Sequence, residues 1–135
     1  MLQDFLERLC EELDIALGPK TQRKNVYSFR IADGLEAELV DLKPGFAAKG
    51  KLSLCPDKRR EELFIHLMRA NLLGQGTGEC RIGLESNEKT LTLCLGLPYE
   101  VNYQGFKEKL EDFINYLIYW REEIAKFEKE QQTVL

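Results

Sequence analysis

The sequence predicts an α+β domain in which helices back a twisted antiparallel sheet. In some segments apolar residues recur at three- and four-residue steps, which indicates amphipathic helices. In others they alternate with polar residues, which indicates half-buried strands. These segments follow the order α-β-β-β-α-β-β-α. Because strands are grouped rather than strictly alternating with helices, the order favours an antiparallel sheet.

The N-terminal part is predicted to contain one helix and a three-stranded meander. Apolar residues on one face predict the helix over residues 2–16, and Gly18-Pro19 ends it. Alternation then predicts strands over residues 26–31, 35–39 and 46–54. Asp33-Gly34 is a dipeptide typical of the two-residue turns that join antiparallel strands.

The C-terminal part is predicted to contain two helices around a hairpin. Pro56-Asp57 opens a helix that ends near Gly74, and its apolar stripe consists of Leu63, Phe64, Leu67, Met68 and Leu72. Two alternating segments, residues 80–84 and 91–95, form the hairpin. Asn102 is expected to cap a long last helix that frays from about residue 128. The regular aromatic and leucine ladder on that helix, from Phe106 to Phe127, is interpreted as core.

Composition favours one soluble domain over residues 1–135. The chain has 135 residues, 44% of them hydrophobic, and a net charge of −4. An acidic balance argues against nucleic acid as a partner. The sequence shows no signal peptide and no stretch long enough to insert in a membrane, so we expect a cytoplasmic protein. Four widely spaced cysteines are then expected to be free thiols.

No residue pattern predicts catalytic, cofactor-binding or metal-binding residues, so we expect a protein that is not an enzyme. The single histidine, His66, lies mid-helix, and a thiol–imidazole pair that uses it stays open because such partners can be distant in sequence. The cysteines lack the paired spacing of a zinc site. The glycine-rich segment Gly74–Gly78 follows a helix and leads into a strand. A phosphate-binding loop does the reverse, so we interpret the segment as a connecting loop.

Several short sequences together resemble class I type III secretion chaperones, the CesT- and SycE-like effector chaperones. They fall in the family's order and are Ala70-Asn71-Leu72-Leu73-Gly74, Ile82-Gly83-Leu84, Leu91-Thr92-Leu93, Leu97-Pro98 and Tyr119-Trp120-Arg121. The resemblance covers nearly the whole chain. It implies a dimer without ATPase activity that holds the N-terminal segment of a secreted effector in an extended form.

Two functional hypotheses follow from the resemblance. The first is an effector chaperone that keeps its cargo soluble and competent for secretion. The alternative is a regulatory or pairing protein of the same fold that binds a non-identical partner. For cargo we predict a groove lined by Leu6, Leu9, Leu13, Tyr27, Phe29 and Ile31. For a homodimer, or a heterodimer with a second small acidic chaperone, we predict an interface at Leu72, Leu73, Ile82 and Leu84.

Overall fold

A computed structural model describes residues 2–13, 26–32, 35–42, 45–98 and 100–133 of the chain. The helices are α1 (Leu2–Leu13), α2 (Arg60–Asn71) and α3 (Tyr103–Thr133). The strands are β1 (Val26–Ala32), β2 (Leu35–Asp41), β3 (Phe46–Leu54), β4 (Arg81–Leu84) and β5 (Thr90–Leu97). A short 3₁₀ turn, Leu72–Gly74, follows α2. The predicted α+β order is therefore confirmed.

The strands form one antiparallel sheet in the order β1-β2-β3-β5-β4, so β1 and β4 are its outermost strands. In the meander, Tyr27 of β1 lies opposite Leu39 of β2, and Leu39 lies opposite Ala48 of β3. The predicted turn at Asp33-Gly34 lies outside the described residues. Ala32 and Leu35 pair on either side of it.

The chain divides into two compact units. The first comprises Met1–Gly50 and Leu95–Asp112, and the second comprises Lys51–Cys94 and Phe113–Leu135. Three elements, β3, β5 and α3, run from one unit into the other along the chain. The single cooperative domain expected from composition stays a prediction.

An aromatic cluster forms the core of the first unit. The Phe106 ring lies 5.2 Å from the Phe5 ring and 6.4 Å from the Phe46 ring, between centroids. Tyr103 approaches Phe5 to 5.8 Å in an edge-on arrangement. Offset and edge-on ring pairs are favourable beyond the area that they bury, so this cluster anchors the start of α3. The predicted cap is also present, since Asn102 Oδ1 accepts a hydrogen bond of 2.8 Å from the Gly105 N–H.

The core of the second unit contains the remaining members of the α3 ladder. Four of these side chains are buried, as predicted: Phe113, Leu117, Trp120 and Ile124. Phe127 is only half-buried. The glycine-rich loop packs against this helix, because Trp120 Nε1 donates a hydrogen bond of 2.9 Å to the Gly76 carbonyl. A Cβ on Gly76 would lie 2.9 Å from the Ala70 Cβ, and Gly78 has a positive φ of 61°. The loop therefore connects α2 to β4, as interpreted, and it also packs against α3.

The structure corrects the predicted start of α2 and shows which part of its apolar stripe is buried. The helix begins at Arg60 and not at Pro56-Asp57, because Arg59 has a left-handed backbone with φ 54°. The apolar stripe is also only partly buried. The buried face consists of Leu63, Leu67 and Ala70, whereas Met68 and Leu72 are exposed. Met68 follows buried Leu67 by one position, which rotates it by about 100° around the helix, and Leu72 lies beyond the last helical residue.

Candidate protein-binding surfaces

The residues predicted to bind cargo lie in the first unit, on α1 and β1. Directly opposed residues of antiparallel strands share a face, so Tyr27 and Phe29 lie on the face of their partners Leu39 and Ala37. That face is buried: Phe29, Leu39 and Ala37 are all core residues. Tyr27 alone of these is half-buried. Among the predicted cargo-binding residues of β1 whose side chains the structure describes, Tyr27 is therefore the one that a partner can reach.

The α1 residues of the predicted groove are core residues as well. Leu6 and Leu9 are buried in the folded chain. The side chains of Leu13 and Ile31 lie outside the part of the chain that the structure describes. The periodic apolar face of α1 is thus a packing face where it is described.

A polar cluster that the sequence analysis missed links α1 to the start of α3. Glu12 Oε2 accepts hydrogen bonds from the Tyr103 hydroxyl at 2.9 Å and from Lys107 Nζ at 3.0 Å. The Arg8 guanidinium lies 4.1 Å from the centre of the Tyr103 ring. The Glu12–Tyr103 hydrogen bond spans 91 positions of the chain, and no local pattern signals such a contact.

This cluster predicts a loss of stability in acid. The hydrogen bond from Lys107, followed by that from Tyr103, holds the pKa of Glu12 below its usual range. A lowered folded pKa gives stability that is present above the ordinary glutamate range and is lost as the pH falls through the folded pKa. Thermal midpoints measured from pH 7 to pH 3 should therefore fall, and Glu12→Gln should flatten the profile.

The matched control for this titration is Glu11→Gln, which changes an exposed carboxylate on the same helix. We expect this variant to retain the acid dependence of the unmodified chain. An equal flattening by both variants would contradict the assignment, because it would indicate general charge repulsion rather than the Glu12 cluster.

A second surface lies where α2 ends beside β4, in the second unit. Five apolar side chains are exposed there, and we call them the α2–β4 patch: Ile65, Met68, Leu72, Leu73 and Leu84. Three members were predicted as interface residues, while Ile65 and Met68 were not. The fourth predicted interface residue, Ile82, is only 8% exposed. Exposed apolar residues of this kind on neighbouring elements are candidates for a protein-binding surface.

Leu73 is the most exposed member of the patch, at 87%, and its backbone is left-handed with φ 53° and ψ 21°. This position follows the end of α2, where glycine is usual because it has no Cβ. The Gly76 N–H donates a hydrogen bond of 2.9 Å to the Ala70 carbonyl and closes the helix end. A leucine here carries a backbone cost of about 1–2 kcal/mol, although its side chain gains little from burial within the chain.

The histidine and the cysteines differ in their exposure. His66 is exposed, with its ring 5.5 Å from the Trp120 ring. Cys80 is buried and Cys94 exposed, and burial raises the pKa of the Cys10 thiol. Within the described residues, no group of three or more His, Cys, Asp or Glu side chains is placed to hold a metal ion. The described helices include none that is both long enough and apolar enough to cross a membrane.

The sequence model of the Tir chaperone protein (CesT) family matches residues 4–121. The chain belongs to this family. The CesT family comprises type III secretion chaperones, so the resemblance found in the sequence is confirmed. Among curated proteins, a comparison by sequence finds no match.

Solved structures of low sequence identity share the CesT-family fold. One is the HopA1-SchA chaperone-effector complex, with a TM-score of 0.67, 15% identity, and coverage of 90% of this chain and 93% of that chain. The ExsC-ExsE complex gives a TM-score of 0.70 at 12% identity, covering 90% and 91%. YbjN, a putative transcription regulator from E. coli, gives 0.67 at 12% identity, covering 93% of each.

Proposed function

We propose that this chain is a bacterial cytosolic chaperone that binds the N-terminal region of a secreted effector and keeps it soluble and competent for secretion. The observation that carries the proposal is the family match over residues 4–121. The fold shared with a chain of the HopA1-SchA chaperone-effector complex supports it. The proposed work is binding rather than catalysis, which agrees with a family of chaperones.

The proposed cargo site is the outer edge of β1 together with the accessible surface around Tyr27. An extended peptide binds most simply by adding a strand to an outermost strand, with alternate side chains entering pockets. β1 is an outermost strand, and Tyr27 on it is half-buried. We propose that cargo side chains pack on Tyr27. We propose that buried Leu6, Leu9 and Phe29 hold this surface in place from the core, and that Leu13 and Ile31 remain predicted members of the groove.

The test of the cargo site is Tyr27→Asp. A charge at Phe29 or Leu6 would enter the core and is expected to unfold the chain. At half-buried Tyr27 the chain should fold, and loss of an aromatic contact should weaken cargo binding by about tenfold or more. Cargo is identified by mass spectrometry of proteins that co-purify from the native bacterium, and affinity is then measured by calorimetry.

The matched control for Tyr27 is Arg30→Ala, a change at an exposed residue of the same strand. Circular dichroism verifies folding of both variants. A folded Tyr27→Asp variant that retains cargo at the unmodified affinity would show that the groove lies on another face.

We further propose that the chain forms a homodimer through the α2–β4 patch. Leu72, Leu73 and Leu84 would contact the partner, while buried Ile82 supports them from β4. A heterodimer with a second small acidic chaperone is the alternative occupant. Light scattering that gives a 15.6 kDa particle at micromolar concentration would exclude the homodimer. A particle stable only with a different small acidic protein would establish the heterodimer.

A regulatory role is the second candidate function, and the likeness to YbjN favours it. The two roles differ in the partner that they require. A secreted protein that co-purifies at a fixed ratio supports the chaperone. A component of transcription or of the secretion apparatus, recovered in its place, supports the regulator.

A further inference from the structure

The outer edge of β4 is occupied by a side chain of the same molecule. Asn71, the last residue of α2, accepts a hydrogen bond of 2.8 Å at Oδ1 from the Ile82 N–H. Its Nδ2 donates one of 2.7 Å to the Ile82 carbonyl. Ile82 lies opposite Leu93 of β5, and both of its backbone groups are used by Asn71. The amide thus makes the pair of bonds that a residue of a further antiparallel strand would make.

The ladder between β4 and β5 explains why these groups point outward. The Glu85 N–H donates to the Thr90 carbonyl at 2.9 Å, so Glu85 faces β5. Backbone direction alternates along a strand, so Gly83 and Arg81 also face β5, whereas Ile82 and Leu84 face away from it. Two residues before Ile82, the Cys80 N–H donates to the Thr77 carbonyl at 3.0 Å, and the Cys80 carbonyl accepts from Arg81 Nη1 at 2.5 Å.

We infer that Asn71 closes the β4 edge of the sheet against strand pairing with a second copy of this chain. An outermost strand presents backbone groups in a row and is a template for edge-to-edge association. In β4 the side-chain amide of Asn71 forms hydrogen bonds with the backbone groups of Ile82, which lie in the middle of that row. Contact at this end of the sheet then takes place through side chains such as those of the α2–β4 patch, without a shared ladder.

The closed β4 edge also limits where an extended cargo segment can be added to the sheet as a strand. With the β4 edge closed, strand addition is directed to the other outermost strand, β1. Only this consequence rests on the proposed function. The closure itself concerns the isolated chain and is tested without cargo, so its failure would leave the cargo proposal untouched.

The test compares Asn71→Ala with the unmodified chain by amide hydrogen exchange and by light scattering. In the unmodified chain the Ile82 amide should be protected to a similar extent as the Gly83 amide, which bonds to β5. In Asn71→Ala, exchange at Ile82 should accelerate by about tenfold while Gly83 stays protected. Species larger than the unmodified assembly should appear at micromolar concentration, because the opened edges pair.

A second change verifies that such species form through the β4 edge. The Leu84 N–H points away from β5, so proline at this position removes an outward donor without breaking the ladder. Asn71→Ala/Leu84→Pro should therefore lose the larger species, and Leu84→Pro alone serves as the control for its effect on the patch. If Asn71→Ala fails to fold, Asn71→Leu takes its place, since it keeps a similar side-chain volume and removes both the acceptor and the donor for Ile82.

Three results would overturn the inference. The first is an Ile82 amide that stays as protected in the Asn71 variant as in the unmodified chain. The second is faster exchange at Ile82 without any larger species. The third is a larger species that persists when Leu84→Pro is added, since that association would not use the β4 edge.

Discussion

Replacing Phe106 with alanine is expected to lower the free energy of unfolding by about 3–5 kcal/mol. The side chain is 0% exposed and its ring contacts those of Phe5 and Phe46. Truncation therefore removes buried apolar surface and also leaves a cavity that rigid aromatic neighbours fill poorly. Urea denaturation followed by far-UV circular dichroism measures the effect.

The control is Tyr119→Ala, on the same helix, where half of the side chain is exposed. We expect its cost to be markedly smaller, since less apolar surface is removed from the interior. A similar loss for both variants would contradict the placement of Phe106 at the centre of the first unit.

The Phe106 variant also tests whether the chain is a single cooperative domain. Phe106 belongs to the first unit, whereas the only tryptophan, Trp120, belongs to the second. If the chain unfolds as one domain, the transition reported by Trp120 fluorescence shifts as far as the one reported by circular dichroism. A tryptophan transition that keeps its original midpoint would show that the units unfold separately.

Most of the fold could be predicted because its signals are local. The alternation in residues 46–54 coincides with β3, and Asn102 caps α3 through its own side chain. The start of α2 could not be predicted in this way. Pro56-Asp57 has the composition of a helix start, but the left-handed backbone of Arg59 lies between it and the first helical turn. The helix propensities of the individual residues do not specify such a left-handed conformation.

The candidate surfaces were harder to predict, because one apolar pattern serves both core and interface. Leu6 and Phe29 have the periodicity of a groove and also that of a core, and the structure buries them. On α2 the reverse holds for Met68, which belongs to the apolar stripe of the helix and is 70% exposed. Periodicity places residues on a face of a helix, but only the neighbouring elements determine which faces are covered.

Replacing Leu73 with glycine is expected to weaken the proposed dimer without destabilising the monomer. The leucine side chain is almost fully exposed in the single chain, and it is the most prominent member of the α2–β4 patch. Burying a leucine fully is worth about 1.5–3 kcal/mol. In a symmetric dimer the loss occurs in both copies, so dissociation should become at least about 100-fold easier. Sedimentation equilibrium measures this change.

The same substitution relieves the strain at the end of α2. Glycine adopts a φ of 53° at no steric cost, although it loses more backbone entropy on folding than leucine does. We therefore expect the monomer to be as stable as before, or more stable by up to about 1 kcal/mol. Leu42→Gly, at an exposed leucine outside the patch, is the control and should leave dimer affinity unchanged. A general loss of packing lowers both dimer affinity and monomer stability. Loss of a residue that acts only through its contact with a partner lowers dimer affinity alone. A Leu73→Gly variant that associates as tightly as the unmodified chain would therefore remove Leu73 from the interface.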